Sequence, residues 1–259
     1  MLLYALEHNV KLRLLTINLH KGFSPLNKRF ILPQLSRCIH SMSADIIFMQ
    51  EVVGENIHKA AKHKDWPAKP QHEYIAGEVG FDHVYGKNAV YTSGHHGNAI
   101  LSRYPILFYD QVDISTNRLE KRGMLYAKLK LPGRAGGLHC VCMHLGLLHR
   151  SRKKQLRLMR EYIQRMVPEN EPLIVGGDFN EWRRKKKDEL ETRLLLKDAG
   201  LQVYGHKLRT FPSVLPVFPL DRIYLRGFKA VEARVIHEGC CARLSDHAGF
   251  FAEVERAPQ

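Results

Sequence analysis

Short apolar runs recur along this chain, and one after another they end in a side chain suited to holding a ligand. The sharpest example is Leu173-Ile174-Val175-Gly176-Gly177-Asp178-Phe179-Asn180. Residues 173–176 carry no charge and read as a buried strand entered from Pro172, and the paired glycines allow a sharp turn before Asp178 and Asn180. A carboxylate and an amide at the mouth of a buried strand are poorly placed for stability and well placed for a ligand. The plainer alternative is an Asx-type turn that caps the next segment. Repetition elsewhere favours the ligand.

Strand-like runs are expected at residues 11–18, ending in Asn18-Leu19-His20, and at 45–51, ending in Gln50-Glu51. Gly94-His95-His96-Gly97-Asn98 forms a polar mouth before the apolar run 99–102, although histidine pairs in loops are often merely solvated. Further strands are expected at 105–112, 122–131, 138–145 (ending near His144), 220–225 (opening with Asp221), 229–236 and 250–254, the last preceded by Ser245-Asp246-His247. Residues 74–90 read as two short strands around Gly80. Helical spacing covers 29–42, with Pro33 tolerable in the first turn, then the first half of 53–69, 149–167 and 189–196. The Pro- and aromatic-rich stretch 205–219 reads as an ordered loop draped over a site. About ten strands and four helices result, with no repeat or linker to divide residues 1–259, so one domain is expected.

Hydrophobic content of 44% and charged content of 25% are ordinary, but a net charge of +14 is not. It favours a polyanionic partner: nucleic acid, an anionic membrane surface or a phosphorylated small molecule. Basic residues crowd the helix at 149–167 (Arg150, Arg152, Lys153, Lys154, Arg157, Arg160), where a solvated face is the alternative, and recur at 183–187 beside Trp182. The five cysteines are odd in number and lack paired spacing, which argues against a disulfide framework and for a reducing, cytoplasmic compartment. Cys140 and Cys142 alternate along one strand face as small hydrophobes. Residues 1–9 lack a secretory pattern, and no apolar stretch nears the ~20 residues that span a bilayer, so no transmembrane segment is expected.

The set Asn18, Gln50-Glu51, Gly97-Asn98-Ala99-Ile100-Leu101-Ser102, His144, Gly177-Asp178-Phe179-Asn180, Leu220-Asp221-Arg222-Ile223 and Ser245-Asp246-His247 resembles the endonuclease/exonuclease/phosphatase superfamily. That superfamily includes pancreatic-type deoxyribonucleases, abasic-site endonucleases, neutral sphingomyelinases, inositol polyphosphate phosphatases and poly(A) deadenylases. The match runs from residue 11 to about 255 in the family's order and is closest to a subgroup of small bacterial members. The resemblance implies an α+β fold, a four-layer α/β/β/α sandwich of two packed, mainly antiparallel sheets with outer helices.

The resemblance also implies roles. Glu51 matches the principal metal-binding glutamate and Asn18 the amide beside it, with Asp246 a further ligand of a hard cation, Mg²⁺ or Mn²⁺. Asp178 matches the group that orients or deprotonates the attacking water, and Asn180 supports it. His247, backed by Asp221, and His144 match the histidines that face the phosphate as protonated imidazoles. Asn98, His95, His96 and Arg122 are the expected substrate contacts. His20 stands where some members carry a metal-binding aspartate, which would tilt the preference toward Mn²⁺, or else it faces the phosphate. The tyrosine that abasic-site enzymes place near residues 95–98 is missing. Metal-dependent cleavage of phosphodiesters in nucleic acid is the leading expectation. Hydrolysis of a phospholipid or phosphoinositide at an anionic membrane surface is the alternative, and a non-catalytic polyanion-binding protein is a third. None of these features sets an oligomeric state.

Overall fold

The computed structural model describes residues 10–118, 120–133, 136–182, 189–237, 241 and 244–257. The basic block at 183–187, the first nine residues and Cys240 therefore lie outside the described residues. Two six-stranded sheets pack face to face. One runs in the order β11 (Phe228–Ile236), β12 (Gly249–Arg256), β1 (Lys11–Asn18), β2 (Ile46–Asn56), β4 (Gly94–Ser102) and β3 (Asp82–Tyr91). The other runs β5 (Ile106–Asp113), β6 (Gly123–Leu129), β7 (Leu138–His144), β8 (Leu173–Asp178), β10 (Asp221–Arg226) and β9 (Lys197–Asp198).

Each sheet is antiparallel except for one central parallel pair, β1 with β2 and β7 with β8. Parallel neighbours need a crossover. The helix α1 (Leu32–Ser41) supplies it in the first sheet. Two short helices follow β2, namely α2 (Ile57–Lys62) and α3 (Gln71–Val79). In the second sheet the crossover is α4 (His149–Met166), and α5 (Glu189–Arg193) and α6 (Ala199–Tyr204) lie farther along the chain.

Side chains that alternate along the strands divide the core into layers. Leu12, Leu14, Phe48, Ile100, Leu125, Cys140, Cys142, Ile174 and Ile223 fill the space between the sheets. On the outer face of the first sheet, Leu15, Ile17, Ile47 and Met49 meet Leu35 and Ile39 of α1 and Ile75 of α3. On the outer face of the second, Val141, Met143 and Val175 meet Met159, Tyr162 and Ile163 of α4. This is the expected α+β sandwich. On α4 the residues Arg150, Lys153, Lys154 and Arg157 are exposed, whereas Arg152 is buried and donates to the carbonyl oxygens of Gly146 and Leu147.

Several expectations change. Residues 74–79 belong to a helix, not a strand, because Gly80 at φ 70° is the left-handed cap that ends α3. The mouth at 94–98 is paired along its whole length inside β4. Twelve strands and six α-helices occur among the described residues, the excess being short elements at sheet edges and ends. Cys38 of α1 and Cys241 form a disulfide across 203 residues of sequence. With that bond, cysteine chemistry no longer points to a reducing compartment. Cys140 and Cys142 are free and buried, as expected.

Gly176 and Gly177 are strand residues rather than a turn. A Cβ on Gly176 would come within 2.6 Å of the Phe48 ring across the sandwich. Gly177 has φ 154°, and a Cβ there would lie 2.0 Å from the Met143 carbonyl oxygen of the neighbouring strand. Backbone cannot swing aside as a side chain can. Gly177→Ala should therefore lower the stability measured by urea unfolding by about 1–3 kcal/mol or more. An unchanged midpoint would show that β8 is not held against β7 in this way.

Candidate active site

The parallel pairs bring their C-terminal ends side by side. Asn18 stands opposite Gln50, and His144 stands opposite Asp178. The antiparallel β10 begins at the same level, so Asp221 stands opposite Asp178. The segment before β12 joins them through Ser245, whose hydroxyl donates to the Asn18 carbonyl at 2.7 Å. One edge of the sandwich thus collects strand ends from both sheets.

Asp178 is the hub. Its Oδ2 accepts from the side-chain amides of Asn18 and Asn180, each at 3.4 Å, and its Oδ1 accepts the Asn180 backbone N–H at 2.9 Å. The same Oδ2 lies 3.6 Å from His144 Nε2 and 3.7 Å from His247 Nε2. On its other side the His247 ring is bound through Nδ1 to Asp221 Oδ2 at 2.8 Å. Thr210 donates its hydroxyl to that Asp221 oxygen at 2.6 Å, and Phe211 packs on the His247 ring at 4.8 Å. The loop 205–219 does cover the site, as expected, and Ser213 anchors it by donating its N–H to the Asp246 carbonyl at 2.8 Å.

Glu51 forms a second centre. The register of β2 against β4 shifts between Met49 and Val52, and Glu51 in this bulge adopts φ 53°. Its Oε2 accepts from Lys21 Nζ at 2.8 Å. Gln71 of α3 braces this corner by accepting the Val53 N–H and donating to the Lys21 carbonyl, both at 2.9 Å. His20 Nδ1 lies 3.0 Å from Asp246 Oδ1, and the His20 N–H donates to Asn18 Oδ1 at 2.9 Å. His20, Lys21, Glu51 and Asn180 all hold positive φ without being glycine. Such strain persists only where surrounding contacts enforce it, and it gathers at functional sites.

The electrostatics separate the groups into roles. Burial, with Asp221 and Glu51 as neighbouring negative charges, pushes the Asp178 carboxyl up to about 7 against the pull of His247 and the Asn180 N–H. Burial alone would lower the His247 imidazole, but Asp221, Asp178 and Asp246 overcome it and raise the ring to about 10. His144 goes the other way. Burial and the charges of Arg122 and His247 push it well below its ordinary range, against the attraction of Glu51. One imidazole is therefore charged and the other neutral, which corrects the expectation of two protonated histidines. Burial would raise Glu51, but His144, Lys21 and His20 outweigh it and hold the carboxyl well below the usual range. Lys21 is in direct contact with Glu51.

Buried polar atoms without a protein partner mark where a ligand fits: His20 Nε2, His96 Nδ1, Asn98 Oδ1 and Asp221 Oδ1. Oxygen donors from Glu51, Asn18 and Asp246, with the His20 nitrogen, suit a hard or borderline divalent cation. Asp178, Asp221 and His247 also offer ligand atoms within 4.8 Å of one another. Among the described residues, Glu51, Asp246 and His20 form no group that close, and a cation bound by Glu51 would have to displace the Lys21 ammonium.

Most expected residues converge, but His95 does not. Successive residues of β4 face opposite ways. The His96 ring is pushed down to about 4 by burial, with Lys21, Arg122 and Lys59 opposing its charge and Glu51 favouring it, so it belongs to the site. His95 Nδ1 instead meets the Tyr85 hydroxyl at 3.0 Å on the side of α3. Arg122 is near His144 and His96 but is pinned by Glu120 at 2.9 Å and by the Leu145 carbonyl at 3.1 Å. Asn98 is buried and donates to the Gly123 carbonyl at 2.9 Å. Lys21, Gln71 and Thr210 were not anticipated. The only signal for Lys21 was its place after Asn18 and His20.

The model of the Endonuclease/Exonuclease/phosphatase family matches residues 15–247. The chain belongs to this family. Among curated family relatives, the uncharacterized protein YbhP of Escherichia coli K12 is 40% identical over 242 residues, covering 93% of this chain and 95% of that one. Among solved structures, Danio rerio TDP2 complexed with single strand DNA product has a TM-score of 0.67 at 20% identity, covering 95% of this chain and 99% of that one. The mannosyl-6-phosphatase Bt3783 of Bacteroides thetaiotaomicron has a TM-score of 0.72 at 15% identity, covering 94% and 99%. At such identities these two neighbours show the fold alone. Membership in the family makes the protein a phosphoric ester hydrolase.

The His247–Asp221 pair has a pH signature. A ring raised from 6.5 to about 10 contributes stability that is fully present below pH 6.5 and is lost as pH rises through about 10. Wild-type protein should therefore lose stability relative to Asp221→Asn as pH rises from about 6.5 to about 10, read by urea unfolding. Parallel curves would separate His247 from Asp221.

Proposed function

We propose that the chain is a single catalytic domain that hydrolyses phosphodiesters with Mg²⁺ or Mn²⁺, acting most naturally on nucleic acid. The observation that carries this reading is the convergence of Asn18, His144, Asn180 and His247 on the Asp178 carboxylate, held near neutral titration. A group of that acidity can accept a proton at physiological pH and release it again. Asp178 takes the proton from an attacking water, the new P–O bond forms, and the P–O bond to the leaving group breaks. Asn18 and Asn180 fix the carboxylate that does this. His247, kept charged by Asp221, donates to a phosphoryl oxygen as negative charge builds there. His144, neutral, offers a ring N–H without adding charge beside His247. Glu51, with Asn18, Asp246 and His20, would hold the cation, which supplies Lewis-acid neutralisation of the phosphate. Asn98 and His96, with unpartnered buried atoms, and Arg122 line the same neighbourhood as substrate contacts.

Nucleic acid is favoured by the net charge of +14 and by an aromatic cluster beside the cationic corner. Phe30 stacks on Trp66 at 4.9 Å, and Phe23 and His63 complete the group. Lys59 lies 4.0 Å over the Phe23 ring and feels the charges of Lys21 and Glu51. Phe23 is buried and anchors the group, while half-buried Phe30, His63 and Trp66 leave ring edges on which a base can pack as the cations follow the backbone. A second reading, a phospholipid head group at an anionic surface, is favoured by Leu147, Leu148, Trp182, Val214, Leu215, Val217 and Phe218. All are exposed on segments that continue from His144 and Asn180 or cover His247. No helix among the described residues is long and apolar enough to cross a membrane.

Asp178→Asn and His247→Ala should each lower metal-dependent turnover of bis(p-nitrophenyl) phosphate by about 10²-fold or more, and chelation should abolish it. Full turnover in either variant removes the mechanism. Release from plasmid DNA, RNA, single-stranded oligonucleotide and phosphatidylglycerol vesicles at matched salt then assigns the substrate. Hydrolysis of the vesicles alone would overturn the nucleic-acid reading.

A further inference from the structure

On the outer side of the first sheet, away from the Asp178 hub, α3 packs against β3 through a histidine pair that the proposed reaction does not use. His72 is in the first turn of α3 and His83 is near the start of β3. Their rings meet edge to face at 5.4 Å, and His72 also stacks on Tyr85 at 4.4 Å. Glu73 follows His72, and one ligand atom from each of His72, Glu73 and His83 lies within 4.8 Å of the others. His72 is only 7% exposed, and its Nδ1 has no hydrogen-bond partner. Two imidazoles and a carboxylate are thus brought together without pairing among themselves, although a buried nitrogen left unpaired carries a desolvation cost.

We propose that His72, Glu73 and His83 form a second cation site, selective for a borderline transition metal of the Zn²⁺ type. Two nitrogens and one carboxylate oxygen are the donor set that Zn²⁺ accepts, with solvent completing the fourth position, whereas Mg²⁺ prefers oxygen and water. His83 is exposed and Glu73 half-buried, so an ion reaches the site from solvent while His72 closes it from below. Bound there, the ion joins α3 to β3. The residue before His72 is Gln71, whose side chain holds both Val53 and the Lys21 backbone next to Glu51. The site therefore braces the helix that steadies the Glu51 corner, without contributing to the chemistry itself.

Co²⁺, whose tetrahedral complexes absorb in the visible, is the probe. With the active site held in saturating Mg²⁺, the wild-type protein should bind one more Co²⁺ than His83→Ala, with visible absorption that the variant lacks. Glu73→Gln should bind it at least tenfold more weakly. Zn²⁺ should raise the unfolding temperature of the wild type and not of His83→Ala. His83 and Glu73 are not buried, so both variants are expected to fold. Equal Co²⁺ stoichiometry and equal spectra in the wild type and His83→Ala would overturn the site. Loss of phosphodiesterase activity in Asp178→Asn leaves this result untouched, because the two sites share no residue.

Discussion

A carboxylate that is 1% exposed at the meeting point of two sheets is the arrangement on which the rest of this structure turns. Desolvating Asp178 costs several kcal/mol unless partners compensate. Besides Asn180, two residues on, the partners come from distant parts of the chain: Asn18 from the first sheet, His144 from the second, and His247 from the segment before the last strand. The Asn18 and His247 contacts therefore also tie the first sheet, and the segment before its last strand, to the end of β8. The compensation is incomplete, and Asp178 titrates near neutrality as a result. An interaction tuned for maximum stability would have removed that property.

The topology explains why these groups meet. Parallel strands point their C-terminal ends the same way, and each sheet has one central parallel pair. Side chains placed just beyond those ends are released from the ladder but still fixed by it. Gly177 lets β8 pass close to β7 at the last step before Asp178, and the bulge at Glu51 turns that carboxyl out of the regular alternation of β2. A flat, regular strand would have pointed Glu51 wherever the period of two dictated.

This logic marks what the sequence could and could not reveal. Asn18, Glu51, Asp178, Asp221 and His247 were legible because each interrupts or ends an apolar run, and such an interruption is visible in one dimension. His95 and His96 were not separable, because they were read as a loop, where no alternation assigns faces. α3 was misread because Gly77 and Gly80 break an already short apolar pattern, and a nine-residue helix offers too few turns for its period to show. Apart from its place after Asn18 and His20, Lys21 carries no mark in the sequence that sets it apart from other lysines, and only the fold reveals the carboxylate opposite it. The Cys38–Cys241 bond joins residues 203 apart, and nothing in local spacing encodes such a pairing.

That bond falls where the fold most needs an anchor. The segment carrying Ser245, Asp246 and His247 is not a strand, so no ladder fixes it. It is held by the Ser245 hydroxyl on Asn18, the Ser213 N–H on the Asp246 carbonyl, and Cys241 joined to α1 in the outer layer. His247 must stay within reach of both Asp178 and Asp221 for either carboxylate to act on its proton affinity. A ring that drifted toward solvent would lose both. Asp178 would then lose the positive charge that limits how far burial raises its acid range, so the proton-accepting group and the phosphate-facing group would fail together. The two residues are thus one electrostatic unit assembled from separate segments of the chain, and the tethers at Cys241, Ser245 and Asp246 preserve it.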